Sequence, residues 1–183
     1  MAEFVRTRHR APFERLFRRY RGRMVSYAMK YVRRQDRAEE LAQDVFVRVY
    51  TTRRYEPSAS FRAWLYRVAT NLCLNEVRRG EYRVAREDLD DHAELSLGPG
   101  AGPEADFEAR ELTRRLEETL HGLPEKQRAA FLMARFEGLS HEEIASALGS
   151  SVPAVKSLIH RALERLRQRM EAEEAAHARE AMS

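Results

Sequence analysis

The chain has 183 residues and a formal net charge of +4 at pH 7, with 34% charged and 9% aromatic side chains. That length accommodates one domain or two small ones. No apolar run can span a bilayer and the first residues lack a signal-peptide apolar core, so membrane insertion is not expected and a cytoplasmic location is. A single cysteine excludes an internal disulfide and a zinc site built on several cysteines; Cys73, among Leu72, Leu74 and Val77, reads as a small buried hydrophobe.

Charge is divided unevenly along the chain. Residues 1–83 carry 20 Lys and Arg against 9 Asp and Glu, a net of +11, whereas residues 84–183 carry 13 against 20, a net of −7. Eight acidic residues and no Lys or Arg lie between Glu87 and Ala109. The basic front suits a polyanionic partner. The acidic middle suits a solvated segment or one lying in a positively charged channel.

In chain order, Met1–Arg10 is basic and unpatterned and is expected to fray. Phe13, Leu16, Phe17 and Tyr20 begin an amphipathic helix that continues through Met24, Val25, Tyr27, Ala28 and Tyr31, with Pro12 near its start, where a proline is tolerated. Asp36 is placed to cap a second helix, with Glu39 at the capping-box position. Ala38, Leu41, Val45 and Val49 face inward there, with Ala42 at the margin, and Glu39, Glu40, Gln43, Asp44 and Val47 face outward. Acidic groups around an exposed valine suit docking on a basic partner; a merely solvated acidic face fits equally well.

Pro57 and the serines 58 and 60 make Tyr55–Ser60 a loop. Ser60 then caps a helix reaching Arg79, with Phe61, Trp64, Leu65, Val68 and Leu72 inside. Arg62, Arg67, Asn71, Asn75, Arg78 and Arg79 stand outside, beside Tyr55, Tyr66 and Tyr82. Basic groups interleaved with aromatics beside a polar loop, including Ser58, suit single-stranded nucleic acid, whose bases stack on rings while arginines hold phosphates. Trp64 reads better as core, and Tyr55 fits either role.

The helical pattern stops at Val84, and the run LGPGAGP marks a linker. The expected fold is therefore all-α: two small helical domains, 1–83 and 106–183, joined by a flexible acidic linker over 84–105. Phe107, Leu112, Leu116 and Leu120 pattern a helix ending at Gly122, and Pro124 opens the next, whose Ala130, Phe131, Met133 and Ala134 face a helix-turn-helix. In that motif Ser140 and Glu143 form a capping box, Leu139 staples onto Ile144, Gly149 supplies a left-handed turn residue and Ser151 caps the second helix. Val155, Ile159, Ala162 and Leu166 line one side of the second helix, with Leu158 and Leu163 flanking. Lys156, Ser157, His160, Arg161 and Glu164 line the other, the arrangement of a recognition helix entering a major groove. The polar tail after Met170 is expected to fray.

Taken together, DRAEELAQDVFVRVY, FRAWLYRVATNLCLNEVRR, LPEKQRAAFLMARFEGLSHEEIASALG and VPAVKSLIHRALERLR stand in the order and spacing of the RNA polymerase sigma factor family, and the chain most resembles its small extracytoplasmic-function group. The resemblance covers most of residues 12–169. It implies that Glu39, Glu40, Gln43, Asp44 and Val47 bind the clamp coiled coil of the polymerase β′ subunit, with the β flap as a further contact of the factor. It implies that Tyr55, Ser58, Ser60, Arg62, Arg67, Asn71 and Arg78 melt and hold the non-template strand of the minus-10 element, and that Lys156, Ser157, His160 and Arg161 touch the duplex minus-35 element. It also implies a cognate anti-sigma protein, and a linker threading the polymerase towards the RNA exit path. Leu158 departs from the family's pattern, which often places a basic residue after the Lys-Ser pair. No phosphate-binding glycine loop or nucleophile–base pair is present, and His9, His92, His121, His141, His160 and His177 lack ligand spacing, so no enzymatic activity, metal or cofactor is expected. Two rival readings fit less: a dimeric helix-turn-helix repressor leaves the aromatic-basic helix unexplained, and a protein adaptor working through Glu39–Val47 makes Lys156 and Arg161 dispensable.

Overall fold

The computed structural model describes residues 1–55, 60–84, 115, 116 and 118–180, with side chains described up to residue 80 in the fourth helix and residue 172 in the last. The acidic linker, the helix expected around Phe107 and Leu112, Tyr82's side chain and loop residue Ser58 lie outside the described residues. Among the described residues the α-helices with defined bounds are α1 (Ala2–Thr7), α2 (Arg10–Val32), α3 (Gln35–Thr51), α4 (Phe61–Val84), α5 (Glu125–Arg135), α6 (His141–Leu148) and α7 (Val152–Glu180), and residues 115, 116 and 118–121 are helical as well. No strand occurs among the described residues, and none of their helices is long and apolar enough to cross a membrane.

Helices α2 and α3 pack closely, and α4 lies against both. The inward faces of α2 and α3 follow the heptad-like spacing of their apolar residues: Met24, Tyr27, Ala28 and Tyr31 on α2 meet Ala38, Leu41, Val45 and Val49 on α3, all buried. In the second half, α5, α6 and α7 pack on one another through Ala130, Met133, Ile144, Val155 and Ala162. The two sets are not separate bodies. Helix α4 also packs against α5 and α6, and the buried apolar residues of both halves form one continuous cluster.

Four expectations need correction. The first ten residues do not fray: α1 is docked by Phe4, 1% exposed, whose ring lies 5.4 Å from Phe13 and 5.7 Å from Tyr50. Asp36 is not the cap of α3. The helix starts earlier, at Gln35 with Arg34 as its N-cap residue, and the Asp36 carboxylate accepts from the Arg34 guanidinium at 2.7 Å and from the Arg37 amide, acting as an acidic first-turn residue. Tyr66 does not stand outside α4 but is fully buried. The tail continues α7 as helix to Glu180.

A polar chain crosses the apolar junction of α2 and α4. Thr70 Oγ1 donates its one proton to the Tyr66 carbonyl at 2.7 Å, so the Tyr27 hydroxyl, 2.8 Å away, must donate to Thr70, and Tyr31, 3.0 Å from Tyr27, must donate to Tyr27. Burial, with Tyr31 as neighbour, raises the Tyr27 pKa well above the ordinary phenol value, which keeps the chain neutral. Tyr27→Phe leaves the Tyr31 hydroxyl without its acceptor and removes the donor to Thr70. Equilibrium urea unfolding is expected to show a loss of about 1–3 kcal/mol with an unchanged m-value.

Candidate nucleic-acid interface and docking helix

The helix-turn-helix is assembled by local chemistry. The Ser140 hydroxyl accepts from the Glu143 amide at 3.2 Å while the Glu143 carboxylate accepts from the Ser140 amide at 3.0 Å, a complete capping box. Gly149 ends α6 with φ 58°, where a Cβ would be strained, and its amide donates to the Ala145 carbonyl. The Ser151 hydroxyl accepts from the Ala154 amide at 3.3 Å, and Pro153 occupies the first turn of α7. Val155, Ala162 and Leu166 are buried, so Lys156, Ser157, His160 and Arg161 are all exposed on the opposite side near the helix N-terminus. His160 Nε2 stands 3.5 Å from the Glu164 carboxylate. Leu158 is half-buried against the core.

On α3 the outward row is present as a surface. Val47 is 56% exposed, with exposed Glu40, Gln43 and Asp44 and half-buried Glu39 around it. Tyr50, 58% exposed at the same end, is an apolar member that the helical spacing of charges did not single out. Glu40 is paired with Arg37, which also holds Glu76 of α4 at 2.5 Å and so fixes α3 on its neighbour. Glu39 accepts from the Gln35 amide at 2.6 Å.

At the start of α4, the Ser60 hydroxyl accepts from the Ala63 amide at 3.2 Å, as its capping position requires. Tyr55, Phe61 and Trp64 form an aromatic corner: Tyr55 lies 6.2 Å from Phe61 and 5.6 Å from Trp64, and Phe61 stacks on Trp64 at 5.9 Å. Arg67 and Asn71 are exposed on the adjoining turns. The structure brings Tyr55, Ser60 and Arg62 together but not Arg78, which lies about 24 Å further along the helix at 1.5 Å per residue.

Three of these side chains already have partners in the second half. Ser60 donates to a Glu143 oxygen at 2.5 Å. Arg62 donates to the Glu137 carbonyl and stands 4.0 Å from the Glu143 carboxylate. Arg78 is bidentate on Glu125, at 2.8 and 2.6 Å. Glu137 also accepts from the Tyr66 hydroxyl, whose pKa is raised by burial and by this bond. Two further contacts join the halves: Lys30 lies 4.6 Å above the Phe136 ring, and Arg128, 4% exposed, lies 4.3 Å above Tyr31. Arg128 Nη1 is 3.3 Å from His121 Nδ1; burial, Arg128 and Arg33 push that imidazole down to about 4, so it is neutral and Nδ1 is the acceptor. Neither Arg128 nor Glu137 was singled out by the sequence, since each has meaning only against the other half.

An all-helical chain with a complete helix-turn-helix in its second half belongs among the DNA-binding helical proteins, and comparison with known proteins narrows that class. Residues 16–83 match Sigma-70 region 2 and residues 113–166 match Sigma-70 region 4. The chain is 35% identical over 156 residues to the ECF RNA polymerase sigma factor SigE of Mycolicibacterium smegmatis, covering 85% of this chain and 60% of that one. It is 34% identical to the ECF RNA polymerase sigma factor RpoE of Cereibacter sphaeroides, covering 89% of this chain and 88% of that one. In fold it is similar to the sigma factor RpoE solved with the anti-sigma factor NepR from Bartonella quintana (TM-score 0.68, 21% identity, 87% and 97% of the two chains). It is likewise similar to CnrH solved with the cytosolic domain of CnrY (TM-score 0.69, 24% identity, 93% and 94%). The chain belongs to the RNA polymerase sigma factor family, in its extracytoplasmic-function group, a family of transcription regulators rather than catalysts.

The contacts between the halves depend on ionised glutamates. Glu125 is held below its ordinary value of 4.5 chiefly by the hydrogen bonds from Arg78. Burial works to raise Glu143, but the Ser60 hydroxyl, the Ser140 amide and Arg62 outweigh it and leave it lowered as well. A carboxylate with a depressed folded pKa contributes stability above its unfolded pKa and loses it as the pH falls through the folded value. The urea midpoint of the wild type should therefore decline as the pH drops from about 5 to about 3. Glu125→Gln/Glu143→Gln should have a lower midpoint at neutral pH and a shallower decline on acidification.

Proposed function

We propose that this sigma factor brings core RNA polymerase to two-part promoters, helps open the duplex and then leaves, with residues 1–83 and 106–183 acting as the two reading modules and 84–105 as their linker. The observation that supports this most is the occurrence of both sigma regions, in order, in one chain whose α7 offers Lys156, Ser157, His160 and Arg161 on a single exposed face. The cations there meet phosphates and base edges of the minus-35 duplex. The α3 row of Glu39, Glu40, Gln43, Asp44 and Val47, joined by Tyr50, docks on the β′ clamp coiled coil, and the second module reaches the β flap. Tyr55, Ser60, Arg62, Arg67, Asn71 and Arg78, with Ser58 in the loop, receive the melted non-template strand of the minus-10 element. An extruded base costs a few kcal/mol of stacking, which the aromatic corner at Tyr55 and Trp64 offsets.

Each module binds weakly alone; anchoring both on one polymerase raises their effective concentration at the promoter. The protein performs no catalysis itself and acts in the cytoplasm, where the polymerase is. A cognate anti-sigma protein covers its polymerase-binding surface until released, as NepR and CnrY accompany the two similar factors.

Run-off transcription with purified core polymerase across a promoter library tests this reading. Transcripts that depend on the protein and share two spaced elements are expected; none, together with failure to co-purify with core polymerase, would refute it. Lys156→Ala/Arg161→Ala should lose preference for the upstream element while still binding core polymerase. Its slope of log affinity against log salt should flatten by about 0.9 for each phosphate contact removed.

A further inference from the structure

The turn between α1 and α2 contains a residue in a conformation that its type disfavours. Arg8 closes α1 with φ 56° and ψ 16°, in the left-handed region where a side chain is strained and glycine is not. A strained backbone of this kind persists where the surrounding contacts hold it. The Arg8 amide donates to the Phe4 carbonyl at 2.8 Å, and the Arg8 guanidinium lies 5.4 Å above the Phe4 ring. Phe4 is itself buried beside Phe13 and Tyr50, so α1 is a fixed mount for the Arg8 side chain.

From that mount the guanidinium reaches the end of α3, 42 and 44 residues away along the chain. Its Nη1 donates to the Tyr50 carbonyl and its Nη2 to the Thr52 carbonyl, each at 2.9 Å. The last turn of α3 is already closed locally. The Thr51 hydroxyl donates to the Val47 carbonyl at 2.8 Å, and the Thr52 amide and hydroxyl donate to the Arg48 carbonyl at 3.1 and 2.6 Å. The Thr52 carbonyl lies beyond the helix, where the backbone has turned extended (φ −62°, ψ 118°), so a bond to it fixes the direction in which the chain leaves α3. Only the exposed Arg53 and Arg54 separate Thr52 from Tyr55. Three residue steps reach about 11 Å at most, so an anchored Thr52 confines the ring that packs edge-on to Phe61 and Trp64.

We propose that Arg8 is a positioning residue for strand capture: held by α1, its two-bond fork sets the exit of α3 and so aims Tyr55 at the incoming non-template strand. The inference rests on the reading of Tyr55 as part of the strand-receiving loop. It gives α1 a part in promoter opening that requires no contact between α1 and DNA. The same guanidinium ties the carbonyl of Tyr50, at the end of the docking row, to Thr52, at the start of the loop. The loop is thereby held in register with the docking surface. Without the fork, Tyr55 is correctly aimed for only part of the time, and strand affinity falls by that fraction. A lysine ammonium lacks the planar fork that reaches both carbonyls.

Arg8→Gly separates this role from a merely structural one, because glycine relieves the left-handed backbone while removing the fork. Arg6→Gln removes the same charge at an exposed position on the same helix, and Tyr55→Ala reports on the loop itself. Three quantities are measured on each full-length variant: the thermal midpoint of the free protein, its affinity for core polymerase, and the affinity of the assembled polymerase for a single strand. The probe is the fluorescein-labelled non-template strand of a promoter recovered by run-off transcription, read by anisotropy. Arg8→Gly should keep its midpoint within about 3 °C of the wild type. It should also keep its affinity for core polymerase, since Tyr50 retains its ring contacts, yet bind the strand about tenfold more weakly. Arg6→Gln should match the wild type in all three. Wild-type strand affinity in Arg8→Gly beside a weakened Tyr55→Ala would overturn the proposal and leave the loop reading intact. Wild-type affinity in both would overturn the loop reading and this inference with it. Equal weakening by Arg8→Gly and Arg6→Gln would overturn it in favour of simple charge loss, and a midpoint falling together with strand affinity would reduce Arg8 to a structural cap.

Discussion

A helix of 24 residues with apolar side chains nearly all round its circumference must find cover on several sides, and α4 is such a helix. Ala63, Leu65, Tyr66, Ala69 and Cys73 are buried, and Phe61, Trp64, Val68, Leu72, Leu74 and Val77 are half-buried around them. No single neighbour can satisfy that distribution. Helices α2 and α3 cover one part and α5 and α6 another, which is why the cores of the two halves run together. The arrangement places the cationic ends of α4 at a seam rather than on a free face.

Charge follows the same division. The strongly basic first half meets the acidic second half at α4, through Arg62 with Glu143 and Arg78 with Glu125. These pairs are partly solvated, so each contributes modestly, and their number and fixed geometry matter more than any one of them. Arg128 is a different case: no carboxylate among the described residues forms an ion pair with this buried guanidinium, which lies on the face of Tyr31. Burial lowers its pKa, yet a guanidinium stays charged where a lysine ammonium would lose its proton.

What could be read from the sequence was what short-range chemistry decides. Ser140, Glu143 and Gly149 define the turn of the helix-turn-helix within ten residues, and the aliphatic face of α7 follows from period alone, so both appear as expected. The all-α class and the inward faces of α2 and α3 were legible for the same reason. Tyr66 was misplaced because a wheel that grants α4 one inner face has no place for a second. Phe4 was missed because one aromatic among basic residues forms no pattern; only the Phe13 and Tyr50 rings give it a site. Asp36 looked like a cap by residue type, but Arg34 engages its carboxylate and the helix starts two residues sooner, with Arg34 as its N-cap. Partners such as Glu137 for Tyr66 lie about seventy residues away along the chain, beyond the reach of any local rule.

The aromatic corner at the start of α4 has an optical consequence. Trp64 is the only tryptophan in the chain, half-buried and edge-on to Tyr55 at the mouth of the loop. Indole emission from the whole protein therefore originates at one point, beside the place where a base would be received. Any ligand, partner or rearrangement that alters the packing of Tyr55 and Phe61 changes the colour and intensity of that emission, so the protein carries its own fluorophore at the position proposed to receive the melted strand.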